Sequence, residues 1–571
     1  MSRNPTPDEI SRFQAATGVL TQGRPQAAVE ILSALAAQAP DLVHAHRLLG
    51  VALTQSGDYA EAEAAFRRAL ALDPLLGPSV VSLGELLILL GRPEEAVDVL
   101  SPAAAQPGAD IHVLNAYGVA LQAVGQDDDA IAAYQRAVTV EPGSAVAEYN
   151  HGMALVGAQM FVEGEAAIRR SFEKRINAPE AWFVLARALQ GQGRLSEAED
   201  AFDEALRRRP DYADAHGELA QLVWMRTEDK AAASRRLDAA ILAHPADPVL
   251  HLKKAKLFEY FGEFDSAYAS VGEAIRRDSE DNVNLQALAA RIAVYTDTPA
   301  ALKHAERAAA IDPSNLDAVS ALAQVCLAAD QPELAATLAE RYLARQPNNQ
   351  FMLAILATAW RMQGDPRYGD LYDYARFVSY ARLDTPEGWP SLEAYLADLK
   401  PALMRLHAFT AHPIGQSLRH GSQTQQDLGR ATDPIVRAFF QAVDGPIRRH
   451  IAGLGEGADP LRRRIADRFR FSGAWSVNLR PNGFHVDHVH PKGWLSSALY
   501  VDLPKAVDTG QEGWLKFGEP GVPTAAPLAA EYALKPQAGM LALFPSYMWH
   551  GTIPFGGDQP RLTIAFDVVP D

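Results

Sequence analysis

A small residue returns every 34 positions through the first part of this chain, at Gly50, Gly84, Gly118, Gly152, Ala186 and Ala220. A second small-residue series, Ala62, Ala96, Ala130, Gly164 and Ala198, runs in phase twelve residues later. Bulkier residues follow it at Phe66, Leu100, Tyr134, Ile168 and Phe202, and prolines close units at Pro74, Pro142, Pro210, Pro245, Pro313 and Pro347. A fixed period of this length confines the fold to stacked copies of one supersecondary unit, because a single copy cannot bury its own apolar face. The small positions mark close crossings of two helices, where a larger side chain would force them apart. The bulky residue is expected to fill the hole between one unit and the next, and proline to end the second helix.

Several positions matching in phase resemble the tetratricopeptide repeat, a helix–turn–helix unit, with Asp41 to Pro74 the cleanest copy. About ten units fit between residues 10 and 347, with the frame slipping by one residue around Ala255 and Ala267. The resemblance implies an all-α solenoid over residues 1–347 whose concave face holds a protein or peptide ligand. The repeat histidines His44, His46, His112, His151 and His216 are scattered. They read as solvated or groove-lining side chains, not as metal ligands.

A length of 571 residues calls for two to four domains. The net charge of −17 argues against a general nucleic-acid or anionic-membrane binder, since such surfaces cluster Lys and Arg. The single cysteine, Cys326, excludes an internal disulfide and any multi-cysteine metal site, and its Ala-rich surroundings read as core. The first residues, Met1 to Phe13, lack a signal-peptide pattern, and no apolar run approaches the roughly 18 residues of a membrane helix. A cytoplasmic protein is expected.

After Pro347 the aromatic-rich segments Phe351 to Trp360 and Tyr372 to Val378 read as a helical pair that caps the repeats, making residues 348–385 a connector. Residues 386–467 read as a helical lead-in to a domain over 386–571. From Arg468 the apolar period becomes two. Phe469 to Leu479, Leu495 to Val501, Gly513 to Phe517, Gly539 to Phe544 and Arg561 to Val569 read as strands, with turns at Pro481-Asn-Gly, Pro491-Lys-Gly and Gly556-Gly-Asp. So many short strands over 468–571 indicate a mainly-β sandwich or barrel of jelly-roll type.

The chemistry is concentrated in Phe484-His485-Val-Asp487-His488-Val-His490-Pro491, answered by His550 and then Arg561. Four ligand-type side chains within six residues, with a distal histidine, point to a metal site that keeps coordination positions open. On chemistry alone, His485 and Asp487 form the His-x-acid pair of a facial triad, both on one face of a strand. Arg561 supplies a guanidinium able to grip a carboxylate through two hydrogen bonds, and Thr563 shares its face.

The strings His485 to Val501, Gly539 to His550 and Arg561 to Phe566, with His412 to Thr424 upstream as part of a helical lead-in, resemble the 2-oxoglutarate- and Fe(II)-dependent oxygenases. The likeness is to their bacterial and phage branch, often fused to tetratricopeptide repeats. It implies a double-stranded β-helix of jelly-roll or cupin-like form that uses Fe(II), 2-oxoglutarate as co-substrate and O2. By this likeness the metal ligands are His488, His490 and His550, with Asp487 beside the metal or the substrate. His485 and Asp487 remain the competing near pair. Arg561, Thr563 and Tyr500 then hold the co-substrate, and Trp494 and Trp549 serve as packing or as substrate walls. The expectation is a dioxygenase that hydroxylates a protein or peptide recruited by the repeats. The alternative is a non-catalytic interaction scaffold with a metal-binding cupin-like domain.

Overall fold

The structure, a computed structural model, describes residues 6–409, 411–413 and 415–571. Residues 1–5 of the N-terminal string, and Ile414 of the His412 to Thr424 segment, lie outside the described residues. The chain divides into two compact units, Met1–Ala201 and Phe202–Asp571.

In the first unit, helices follow one another in antiparallel pairs, among them Val43–Ser56 with Tyr59–Leu72 and Ile111–Ala123 with Asp127–Val140. The small positions are where the helices touch. A Cβ added at Gly50 would stand 2.6 Å from the Phe66 ring, and one at Gly118 would stand 2.6 Å from the Tyr134 ring. The bulky residue therefore packs on the glycine of its own unit, as well as clustering with the next unit's apolar residues, such as Leu83 beside Phe66. A further series marks the turn inside each pair. The backbone is left-handed at Gly125 (φ 75°) and, 34 residues on, at Gln159 (φ 61°), where a side chain tolerates what glycine adopts freely.

Repeat histidines behave differently from expectation. His46 and His151 are buried, as is His216 in the second unit. The His46 ring bonds the Pro40 carbonyl at 3.0 Å, the His216 ring that of Pro210 at 2.9 Å, and the His251 ring that of Pro245 at 3.1 Å. These rings satisfy a carbonyl at the end of the preceding helix. His44 and His112 are exposed.

The second unit continues the helix pairs to Leu343 and ends them with Gln350–Gln363. Cys326 is fully buried, and burial pushes its thiol up to about 11. The expected second capping helix is reduced to single turns at Tyr368–Leu371 and Tyr374–Phe377. A β-rich domain follows, with strands β1 (Ser379–Arg382), β2 (Leu418–Gln423), β3 (Phe469–His485), β4 (Leu495–Asp502), β5 (Leu515–Phe517), β6 (Tyr532–Leu534), β7 (Met540–Pro545), β8 (His550–Thr552) and β9 (Arg561–Pro570). They form two antiparallel sheets, one ordered β1-β7-β4-β9-β3-β2 and the other β6-β5-β8.

Two local expectations are corrected. The segment containing Leu418 to Gln423, read as helical, is strand β2, held by its pairing with β3. Pro481-Asn-Gly is not a turn between strands. It lies inside β3, where the register against β2 shifts between Arg419 and Gly421 and Asn482 turns left-handed (φ 65°). Helices Leu392–Met404 and Pro434–Leu454 share one apolar core with the large sheet, as in the Phe439 ring 5.7 Å from Phe566. Among the described residues no helix is long and apolar enough to cross a membrane.

Gly118→Val is expected to destabilise the fold by about 1–3 kcal/mol, because Tyr134 must leave its rotamer. Gly108→Ala, where an added Cβ meets nothing within 4 Å, should cost less than about 0.5 kcal/mol. Denaturant midpoints of the two variants order them.

Candidate metal centre

Strand β3 delivers the chain to His485, after which Val486–Trp494 runs without regular structure to β4. Within it His488 pairs with His550, the first residue of β8, as an isolated antiparallel bridge. The two residues exchange both backbone bonds, His488 N–H to His550 C=O at 3.0 Å and His550 N–H to His488 C=O at 3.1 Å. Their rings lie 4.2 Å apart between centroids, and the His490 ring is 5.1 Å from that of His488. One nitrogen from each of His488, His490 and His550 lies within 4.8 Å of the others.

The far nitrogens fix the tautomers. His488 Nδ1–H donates to the Val486 carbonyl at 2.8 Å, and His550 Nδ1–H to that of Met548 at 2.9 Å. His490 Nδ1–H donates to the Asp567 carboxylate at 2.6 Å. In the neutral rings each Nε2 then carries a lone pair, and those of His488 and His490 face each other at 3.2 Å. Two lone pairs at that distance repel unless a proton, as in an N–H···N bond, or a metal cation joins them. Burial, reinforced by the neighbouring imidazoles, holds His550 well below its ordinary value and pushes His488 down to about 3. Burial lowers His490 too, but the Asp567 charge and hydrogen bond outweigh it and leave the ring raised.

The competing near residues are placed otherwise. His485 stacks on His488 at 5.9 Å and binds Ser417 Oγ through Nδ1 at 2.9 Å. Asp487 points to Lys516, 2.8 Å from Oδ2, while Oδ1 is buried without a partner. Burial, opposed by Lys516, raises its carboxyl to about 6.

A cavity of about 900 Å³ opens over the three histidines. Alternate residues of β9, Arg561, Thr563, Ala565 and Asp567, line it. Arg561 is 2% exposed, its Nε has no partner, and among the described residues no carboxylate pairs with it. A buried guanidinium without a counter-charge is costly, which makes the cavity wall a seat for an anion. Tyr500 is fully buried beside it, the guanidinium carbon 5.2 Å from the ring centroid, and Arg561 interacts with its phenol, opposing the rise that burial imposes on it.

Sequence reading missed the residues that brace this centre. Asp567 joins His490 to Ser496, whose hydroxyl donates to Oδ1 at 2.6 Å. Its spacing of two, four and six from Ala565, Thr563 and Arg561 was the available signal. Trp549 and Trp494 are packing residues. Trp549 Nε1–H donates to Thr358 Oγ1 at 2.9 Å, and Trp494 Nε1–H to the Leu461 carbonyl at 2.9 Å. The Tyr372 hydroxyl donates to the Tyr547 carbonyl and accepts from Trp549 N–H, both at 3.0 Å. The helix Gln350–Gln363 and the turn after it thus hold the approach to His550. Aromatic walls of the cavity are instead Trp475, stacked on His490 at 6.2 Å, with Phe544 and Tyr260.

Comparison with known proteins agrees with this organisation. Residues 473–567 match the family described as "Putative 2OG-Fe(II) oxygenase". Residues 13–76, 53–123, 179–222 and 296–371 match tetratricopeptide-repeat families. No curated protein matches the chain. Among solved structures, a tetratricopeptide repeat protein from Parabacteroides merdae is 17% identical over 43% of this chain and 97% of its own, with a TM-score of 0.36. Pseudomonas aeruginosa pilF is 20% identical over 36% of this chain and 94% of its own, with a TM-score of 0.31. The protein TTC0263 from Thermus thermophilus is 22% identical over 32% and 98%, with a TM-score of 0.27. The chain carries tetratricopeptide repeats followed by a domain of the family described as "Putative 2OG-Fe(II) oxygenase".

Tyr372→Phe removes one hydroxyl and leaves two buried backbone groups unpaired. It should cost about 1–3 kcal/mol. Tyr380→Phe loses a hydroxyl bond to the carbonyl of the exposed Lys535, which water can replace, and should cost less, about 0.5–1 kcal/mol. Thermal midpoints of the full-length variants test the difference.

Proposed function

We propose that this chain is an Fe(II)- and 2-oxoglutarate-dependent dioxygenase that hydroxylates a protein or peptide segment recruited by its repeats. The observation that carries the reading is the convergence of three Nε2 lone pairs whose opposite ring nitrogens are all committed to acceptors. Neutral imidazoles with outward N–H bonds are the donor set a divalent iron takes, and the facing lone pairs of His488 and His490 leave a place that a cation fits.

His488, His490 and His550 would hold the iron. When bound with 2-oxoglutarate and O2, it supplies the oxidant, coupled to decarboxylation of the co-substrate to succinate. The chain's residues do the rest. Asp567 holds His490 in its tautomer and orientation, with Ser496 fixing the carboxylate in turn. Arg561 binds the far carboxylate of 2-oxoglutarate by a two-bond clamp, and Thr563, on the same face of β9, adds a hydroxyl. Tyr500 packs under that guanidinium. The walls, the partly buried Trp475 among them, limit water at the reacting centre. The working division is a repeat region over 1–347, a connector over 348–385 and the oxygenase region over 386–571. In it the repeats present the substrate, as a solenoid's concave face presents a peptide.

Full-length protein supplied with Fe(II), ascorbate and 2-oxoglutarate should release succinate, and release should rise on adding cell extract as a source of substrate. His488→Ala should abolish it. Arg561→Met should raise the 2-oxoglutarate concentration for half-maximal release by about tenfold or more. No succinate with or without extract would overturn the reading in favour of a non-catalytic scaffold.

A further inference from the structure

The cavity over the histidines is built from more than the oxygenase region. Its outer wall is the end of the repeat helix Pro248–Tyr260, which contributes Lys256, Glu259 and Tyr260. Facing them is Arg419 on β2, whose guanidinium carbon lies 5.0 Å from the centre of the Tyr260 ring.

Arg419 is held in an unusual way. Its Nη1 donates to the carbonyls of Gln416 at 2.8 Å and Leu418 at 2.9 Å. The register shift between Arg419 and Gly421 fixes where β2 turns this side chain. Among the described residues Nε and Nη2 have no hydrogen-bond partner, and no carboxylate lies within ion-pair distance. These two nitrogens form the edge of a guanidinium that grips a carboxylate bidentately. The edge is pre-oriented by two carbonyls and an aromatic face, and burial depresses the group's basicity without discharging it.

The charges around it point the same way. Arg291 and Lys256 offset Glu259, whose carboxyl burial raises. Among the described residues, Arg419 and Lys492, both lining the cavity, have no acidic counterpart, in a chain whose net charge is −17. Arg561, the other guanidinium lining the cavity, is already assigned to the co-substrate.

We infer that Arg419, backed by Tyr260 of the repeat helix, is an anion fork that takes a carboxylate side chain of the substrate, so that the peptide accepted is acidic. This deepens the oxygenase reading and rests on it for the identity of the cavity as a substrate site. It also gives the repeats a direct part in selection at the cavity mouth.

The test is binding, read without turnover. Full-length protein with 2-oxoglutarate but no iron is titrated into three fluorescein-labelled peptides of equal length. One is rich in Asp and Glu, one carries Asn and Gln in their place, and one carries Lys. The acidic peptide should bind about tenfold or more tightly than the other two. Arg419→Gln should erase the preference, and Arg419→Glu should turn it toward the Lys peptide. Circular dichroism of each variant checks folding, and the Gln variant decides if the Glu variant does not fold. Equal binding of the three peptides, or a preference unchanged in Arg419→Gln, overturns the proposal. Succinate release with charge-blind binding would remove the fork and leave the oxygenase reading standing. Arg419-dependent acidic binding without succinate release would do the reverse.

Discussion

The arrangement at the centre depends on one backbone contact, the double hydrogen bond between His488 and His550. It ties an irregular segment after β3 to the start of β8, residues 62 positions apart in the chain. With the two backbones clamped and each Nδ1 committed to an acceptor, neither ring can rotate away without losing a bond. The cost of bringing three imidazoles together is met by folding, before any metal arrives. Asp567 extends the same logic to His490, linking it to Ser496 and through that hydroxyl to Ser546.

That clamp is itself held from the repeat side. Thr358 and Tyr372 fix Trp549 and Tyr547, and Arg361 donates to the Gly518 carbonyl at 2.7 Å beside β5. Farther out, Met225 accepts a backbone bond from Ala411 at 2.9 Å, and Glu228 pairs with Arg480. Within Phe202–Asp571 the later repeats and the β-rich domain therefore share a core and a cavity. On the proposed reading, substrate recruitment and chemistry are coupled through packed side chains and need no flexible tether.

Much of this was legible in the sequence because it rests on local pattern. The 34-residue period reports close helix crossings, and the glycines at 50 and 118 sit under aromatic rings for that reason. Strands β3, β4, β7 and β9 alternate or run apolar long enough to be read directly. The illegible parts are those whose identity comes from distant partners. β1, β6 and β8 span three or four residues and exist through the strands they pair with. β2 is polar and was read as helical, because its pairing with β3 outweighs local preference. Asp567 sits in an apolar run whose sequence does not disclose a histidine 77 residues earlier. Asp487 drew attention by standing among the histidines, yet Lys516 and Glu519 form its local charge network.

The claim on which the account turns is that His488, His490 and His550 are a metal-ligand set and that His485 is not. Titration of metal-free full-length protein with Co(II), followed by its visible d–d absorption, tests it most directly. The account predicts one ion per chain, lost in His490→Ala, retained in His485→Ala, and bound about 10–100-fold more weakly in Asp567→Asn. Loss of the ion in His485→Ala with retention in His488→Ala would contradict it.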